Sequence, residues 1–169
     1  MSKVNQKIEL TANILIIVVA LALGGFLIQK YFFPAAPTAP AQKSPVVGNK
    51  IPDIDFDWSK SDKNVLLVLS KGCRYCTESA DFYKKLIKQS EGKNVKITAL
   101  LPQPKEEAEK YLSELGISGI DVKQTQLNAL DVSGTPTIIV TDDKGVISNV
   151  WIGKLQVEKE SEVINKLSL

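Results

Sequence analysis

Two kinds of apolar pattern divide this chain. Residues 10–28 form nineteen positions without a charge, in which only Thr11 and Asn13 are polar. The stretch is apolar all round, unlike the one-sided stripe of a surface helix. About twenty such residues cross the hydrocarbon core of a bilayer as a helix. Lys30, Tyr31, Phe32 and Phe33 add a basic and aromatic edge suited to the interface, and Pro34 stops the helix. Beyond residue 50 the apolar residues come in short runs that switch between strand and helix periods.

Those runs predict an alternation of elements. Ile54 to Phe56 predicts a short edge strand, and residues 65–70 a buried strand. From Cys73 or Arg74 to Gln89 or Ser90 the pattern is an amphipathic helix, closed by Gly92. Residues 95–101 predict a strand stopped by Pro102 and Pro104. Residues 105–115 predict a charged helix capped by Gly116, and residues 124–130 a short helix. Residues 137–141 and 146–151 predict two strands joined by Asp142-Asp143-Lys144-Gly145, a hairpin signal. Residues 157–167 predict a final helix. The hairpin makes the last strand pair antiparallel, while the earlier strands need helical crossovers. The fold class is therefore α/β, a mixed central β-sheet with helices on its faces, preceded by one N-terminal transmembrane helix.

The organisation follows. Residues 1–9 are a short tail, 10–33 a transmembrane signal anchor, 34–50 a Pro/Ala-rich linker and 51–169 one domain of common size. The linker is a spacer, semi-extended at ~3 Å per residue. A cleaved signal peptide is the alternative for the anchor. It would need a shorter apolar core and a nearby small-residue site, whereas Ala39-Pro40-Ala41 lies well past the core. Lys3 and Lys7 precede the anchor and Lys30 and Lys43 follow it, so the positive-inside count is nearly balanced. A short tail left in the cytoplasm sends the domain across. Residues 50–169 carry seventeen basic and eighteen acidic side chains, a net charge of −1, with no basic run. Nucleic acid is not an expected partner.

The candidate chemistry is concentrated at Gly72-Cys73-Arg74-Tyr75-Cys76, which holds the only two cysteines. Cys-x-x-Cys between a buried strand and a helix is a redox pattern: one thiolate attacks a disulfide and the other thiol resolves it. A cysteine at a helix N-terminus faces unpaired N–H groups and the positive end of the dipole, which lowers its pKa. Lys71 and Arg74, the only arginine, flank Cys73 and are expected to push the same way. Cys76, one turn into the helix, is expected to be buried and to act as the resolving thiol. Tyr75 is expected to be partly exposed and to shape partner choice. The chain has no histidine and no third cysteine, so zinc and Cys-His chemistry lack their ligands and bases. A static disulfide closing so short a loop would stabilise little. Trp58 and Trp151 are expected to be packing residues.

A third element, Ser133-Gly134-Thr135-Pro136-Thr137, precedes a predicted strand. With the cysteine pair and Gly153 it makes residues 48–169 resemble the thioredoxin superfamily. The resemblance implies a cis Pro136 packed against the cysteines, and a Thr135 backbone that pairs with an extended substrate. It further implies Cys73 as nucleophile and Cys76 as resolver. Anchor, spacer and the stretch between Cys76 and Pro136 resemble TlpA/ResA-like thioredoxins, anchored extracytoplasmic proteins of bacteria. Three positions depart from the pattern. Gly72 stands where thioredoxins usually carry tryptophan, Leu67 where they keep a buried acid, and Arg74-Tyr75 replaces the usual dipeptide.

The expected function is a membrane-anchored thiol–disulfide oxidoreductase on the periplasmic or extracytoplasmic side. It would reduce protein disulfides and draw on a membrane electron partner, with no cofactor beyond the Cys73–Cys76 disulfide and no metal. A DsbA-like oxidant and a non-catalytic binding module with structural cysteines are the alternatives.

Overall fold

The computed structural model describes residues 15–21, 23, 44–52 and 54–168. The chain divides into two units, Met1–Ala41 and Gln42–Leu169. In the first, Leu15 to Leu21 and Leu23 are helical and exposed. The rest of the expected anchor and residues 34–43 of the expected linker lie outside the described residues. Among those described, no helix is long and apolar enough to cross a membrane.

The second unit is built on a five-stranded sheet of order β3-β2-β1-β4-β5. Its strands are β1 (Lys63–Val68), β2 (Val95–Leu101), β3 (Asp121–Gln124), β4 (Thr137–Asp142) and β5 (Ile147–Ile152). β1 runs parallel to β2, β2 parallel to β3, and β4 is antiparallel to both β1 and β5. The α-helices are α1 (Arg74–Glu78), α2 (Ala80–Ser90), α3 (Lys105–Glu114) and α4 (Val157–Ser168). α1 and α2 connect β1 to β2, and α3 connects β2 to β3, the crossovers that parallel neighbours require.

β1 is central, and Asn64 to Leu69 are fully buried, as expected of a strand covered on both faces. Its alternation divides the interior. Val65, Leu67 and Leu69 point into a core shared with Cys76, Phe82, Tyr83, Leu86, Tyr111, Leu112 and Val163. Leu66 and Val68 point into a smaller core with Ile51, Leu130, Val132, Ile139 and Ile147. All four α-helices contribute their apolar residues to the first core. The second face is covered by Ile51, Ile54 and Phe56 and by two 3-10 turns, Trp58–Lys60 and Leu127–Leu130. The mixed sheet with flanking helices is as expected, and the four helices all pack into the first core.

Four local expectations change. Ile54 to Phe56 is not a strand. Phe56 instead packs on Trp58 with ring centroids 4.2 Å apart, and the edge contact is the Lys50–Val146 bridge. The helix after the cysteines breaks at Ser79, so the pair rides on a separate short helix. Residues 124–130 form only a 3-10 turn after Gln124. β3 is an added edge strand whose Asp-Val-Lys-Gln sequence has one apolar residue, so its pairing to β2 rather than its own pattern defines it.

Candidate active site

The site forms where two chain segments leave the same end of the sheet. Val68, the last residue of β1, pairs with Thr137, the first of β4. Antiparallel pairing therefore lays residues after Val68 beside residues before Thr137. On one side Ser70 and Lys71 lead through Gly72, at φ +81°, into Cys73, the N-cap of α1. The left-handed conformation is open to glycine at little cost, which suits Gly72 to this turn. On the other side come Thr135 and Pro136, joined by a cis peptide bond.

The two segments meet at the sulfur. Cys73 Sγ donates to the Thr135 carbonyl at 3.3 Å and accepts from the Cys76 backbone N–H at 3.2 Å. Both cysteines are free thiols, Cys73 half-buried and Cys76 fully buried. Their acidities diverge. Desolvation works against the Cys73 thiolate. Hydrogen bonds with the Cys76 and Thr135 side chains and with the backbone of Cys76 and Tyr75 outweigh it, and the thiol falls below its ordinary value. Burial, followed by the bond to Cys73, pushes the Cys76 thiol up to about 12. One sulfur is thus primed as a nucleophile and its neighbour is held protonated.

The flanking charges are engaged elsewhere. Lys71 Nζ pairs with Glu107 at 2.6 Å, and Arg74 Nε with Glu78 at 2.6 Å. Lys154, just after β5, takes the other Glu78 oxygen at 2.8 Å and so ties that loop to α1. The groups that lower Cys73 are hydrogen-bond donors rather than these two cations. Tyr75 is 54% exposed beside the sulfurs, where an incoming chain would touch it. Gln103 accepts from the Lys71 N–H and donates to Ser70 Oγ, which steadies the turn before the nucleophile. Pro136 is buried, Thr135 half-buried, and the Pro136 carbonyl accepts from Gly153 N–H at 2.7 Å.

Beneath the pair lie residues that a motif search passes over. Tyr83 and Tyr111 are buried and interact electrostatically with both thiols, and Tyr111 shares a 3.4 Å hydroxyl contact with Thr77. The signal was present as spacing: Ser79 and Tyr83 lie three and seven residues after Cys76, on one helical face. Among the described residues no group of three or more His, Cys, Asp or Glu side chains is placed to hold a metal ion.

The sequence matches no family model and no curated protein sequence. Solved structures do match. A Chlorobium tepidum protein assigned as the thiol:disulfide interchange protein DsbE superposes with a TM-score of 0.62 at 19% identity, over 74% of this chain and 98% of its own. A thiol:disulfide interchange protein from Bacteroides sp. gives 0.57 at 18%, over 75% and 91%. A thiol-disulfide isomerase from Corynebacterium glutamicum gives 0.54 at 18%, over 78% and 97%. The fold is thioredoxin-like. Leu67 lies in the first core at 0% exposure, so the sheet presents an apolar side chain to the interior there.

Proposed function

We propose that this chain is a membrane-anchored, TlpA/ResA-like thiol–disulfide oxidoreductase that reduces protein disulfides outside the cytoplasm. The observation that carries the reading is the asymmetric pair: a half-buried, acidified Cys73 above a buried, protonated Cys76, facing the Thr135 carbonyl. Thiolate character and access together make a cysteine reactive.

The reaction balances in two steps. Cys73 thiolate attacks a substrate disulfide, forming a Cys73–substrate bond while the electron pair of the broken S–S bond leaves on the second substrate sulfur. Cys76 then gives up its proton and attacks Cys73 Sγ. The Cys73–Cys76 bond forms and the remaining substrate sulfur departs with its electron pair. The substrate disulfide has gained two electrons and two protons, and the pair has become a disulfide, the only redox group required. Thr135 and Pro136 form the docking wall for the substrate segment, and Tyr75 adds an exposed apolar contact. A dithiol partner at the membrane returns the two electrons. The apolar stretch at residues 10–33 supports the anchor, and a location outside the cytoplasm suits a stable disulfide cycle.

One observation favours the opposite direction. A lowered Cys73 stabilises the reduced form, which makes a pair more oxidising. The reduction potential decides between them, read by alkylation mass after equilibration in thiol buffers. A value near ~−270 mV supports a reductant, and one near ~−120 mV overturns it in favour of an oxidant. A pair that does not cycle without unfolding the domain leaves the binding-module reading in place.

A further inference from the structure

The resolving step poses a problem that the motif does not solve. Cys76 must ionise inside the core, and the sheet beneath it supplies no acid, because Leu67 and its neighbours are apolar. The helices supply something else. Ser79 Oγ and Tyr83 Oη are both buried, and neither completes a hydrogen bond. Such groups are uncommon in native interiors, because an unpaired buried hydroxyl destabilises the fold. Ser79 is also the N-cap of α2, yet its side chain makes no capping bond, so capping does not account for it.

Their positions do. Cys76, Ser79 and Tyr83 follow one another at helical spacings of three and four, the spacing of neighbours on one face. Ser79 N–H donates to Tyr75 O and Tyr83 N–H to Ser79 O, so each step lies within one helix despite the break, Cys76 to Ser79 at the end of α1 and Ser79 to Tyr83 in the first turn of α2. A long side chain on a helix leans towards its N-terminus, which carries the Tyr83 phenol back over Ser79. Ser79, Cys76, Cys73 and Tyr111 are the groups the phenol interacts with.

We propose that Ser79 and Tyr83 form a hydroxyl chain that stabilises Cys76 as a thiolate during the resolving step. When Cys76 loses its proton to solvent, Ser79 Oγ–H donates to the sulfur and Tyr83 Oη–H donates to Ser79 Oγ. A serine hydroxyl can do both at once. Tyr83 keeps its proton throughout, in accord with a phenol that burial holds well above its ordinary value. The chain replaces a buried acid with two neutral donors. The other titratable groups facing Cys76 are Cys73 on α1 and Tyr111 on α3. Cys73 is consumed in the mixed disulfide at this step. Tyr111 is committed to Thr77.

The inference rests on the thiol–disulfide reading, and one experiment separates their failures. Reduced full-length chain is mixed with dithiobis-nitrobenzoate, which releases one coloured thiolate when Cys73 attacks and a second when Cys76 resolves. Wild type, Ser79→Ala and Tyr83→Phe are followed across pH. The expected result is an unchanged first release in all three. In both variants the second release is about tenfold slower, with its pH midpoint raised by about one unit. Tyr83→Phe is expected to melt at the same or a higher temperature, since it removes an unpaired buried hydroxyl, and Ser79→Ala carries the test should that variant not fold. A wild-type second release in either folded variant overturns the chain, as does equal slowing of both releases. A wild-type protein that gives no second release overturns the thiol–disulfide reading itself.

Discussion

Cys73 Sγ stands 3.3 Å from the carbonyl oxygen of Thr135, a residue 62 positions further along the chain. The contact follows from the Val68–Thr137 pairing, which brings the two loops off one end of the sheet. It places the Cys73 sulfur against a backbone acceptor, the one that the proposed function assigns to a substrate segment. In that proposal a docking chain would meet the sulfur and the Thr135 backbone together.

The division of labour between the sulfurs is testable by substitution. Cys73→Ser is expected to abolish turnover of a protein disulfide. Cys76→Ser is expected to retain the first attack and to accumulate mixed disulfides, visible by mass under non-reducing conditions. Undiminished turnover in Cys73→Ser would remove the proposed mechanism.

Thiol acidity gives a second test. Alkylation of reduced protein by iodoacetamide is expected to reach half-maximum at Cys73 below the ordinary thiol value of 9.0. Cys76 stays unmodified in the folded protein across the same range. Lys71→Ala and Arg74→Ala are expected to move the Cys73 midpoint by no more than about 0.3 pH unit, because exposed charges are screened and both are already paired. A shift of a full unit would restore these cations as the source of the acidity.

Alkaline stability gives a third. A group whose folded pKa is raised stabilises the fold fully below its unfolded pKa, and this is lost as pH rises through the folded value. For Cys76 that window runs from 9.0 to about 12. Tyr83 acts in the same direction from 10.0 upward. Cys73, which is depressed, adds stability that is already complete above its unfolded value and does not change in this window. The melting temperature of the reduced protein is therefore expected to fall from pH 9 upward, and to fall less in Cys76→Ala. Equal slopes would show that Cys76 titrates in the fold as it does unfolded.

The hairpin between β4 and β5 gives a fourth, independent of the chemistry. Gly145 adopts φ +78°, and a Cβ there would lie 2.8 Å from Trp58 Cε2. Gly145→Ala is expected to cost about 2 kcal/mol, seen as a lower urea midpoint at unchanged slope. With Trp58→Ala already present the clash disappears, and the same change should cost only about 1 kcal/mol of backbone strain.

The parts legible in the sequence are those with a strong local signature. Cys-x-x-Cys between a buried strand and a helix, and Gly-Thr-Pro-Thr ahead of another strand, identified both walls of the site. The apolar run of β1 and the Asp-Asp-Lys-Gly turn located the central strand and the hairpin. What stayed hidden depends on contacts between distant segments. β3 is polar because it is an edge strand, and only the β2 ladder makes it a strand. The break at Ser79 leaves no mark in a helical pattern that continues through it. Phe56 looked like strand material because aromatic residues favour strands, but its partner is Trp58. The engagement of Lys71 with Glu107 and of Arg74 with Glu78 was equally invisible, since the sequence gives proximity to Cys73 but not the direction a flexible cation takes.

The two-sided interior also shapes how such a chain changes over generations. Both sulfurs, Tyr83, Tyr111 and α1 to α4 belong to one side of the sheet, and the other side holds aliphatic and aromatic packing with the buried Asn64, whose amide donates to the Trp58 and Asp142 carbonyls. Substitutions on the far side leave the groups around the sulfurs in place and act through stability, while those on the near side act on stability and on those groups together. Selection can relax on one without relaxing on the other. Drift confined to the far side would erode sequence likeness while leaving the reacting geometry in place.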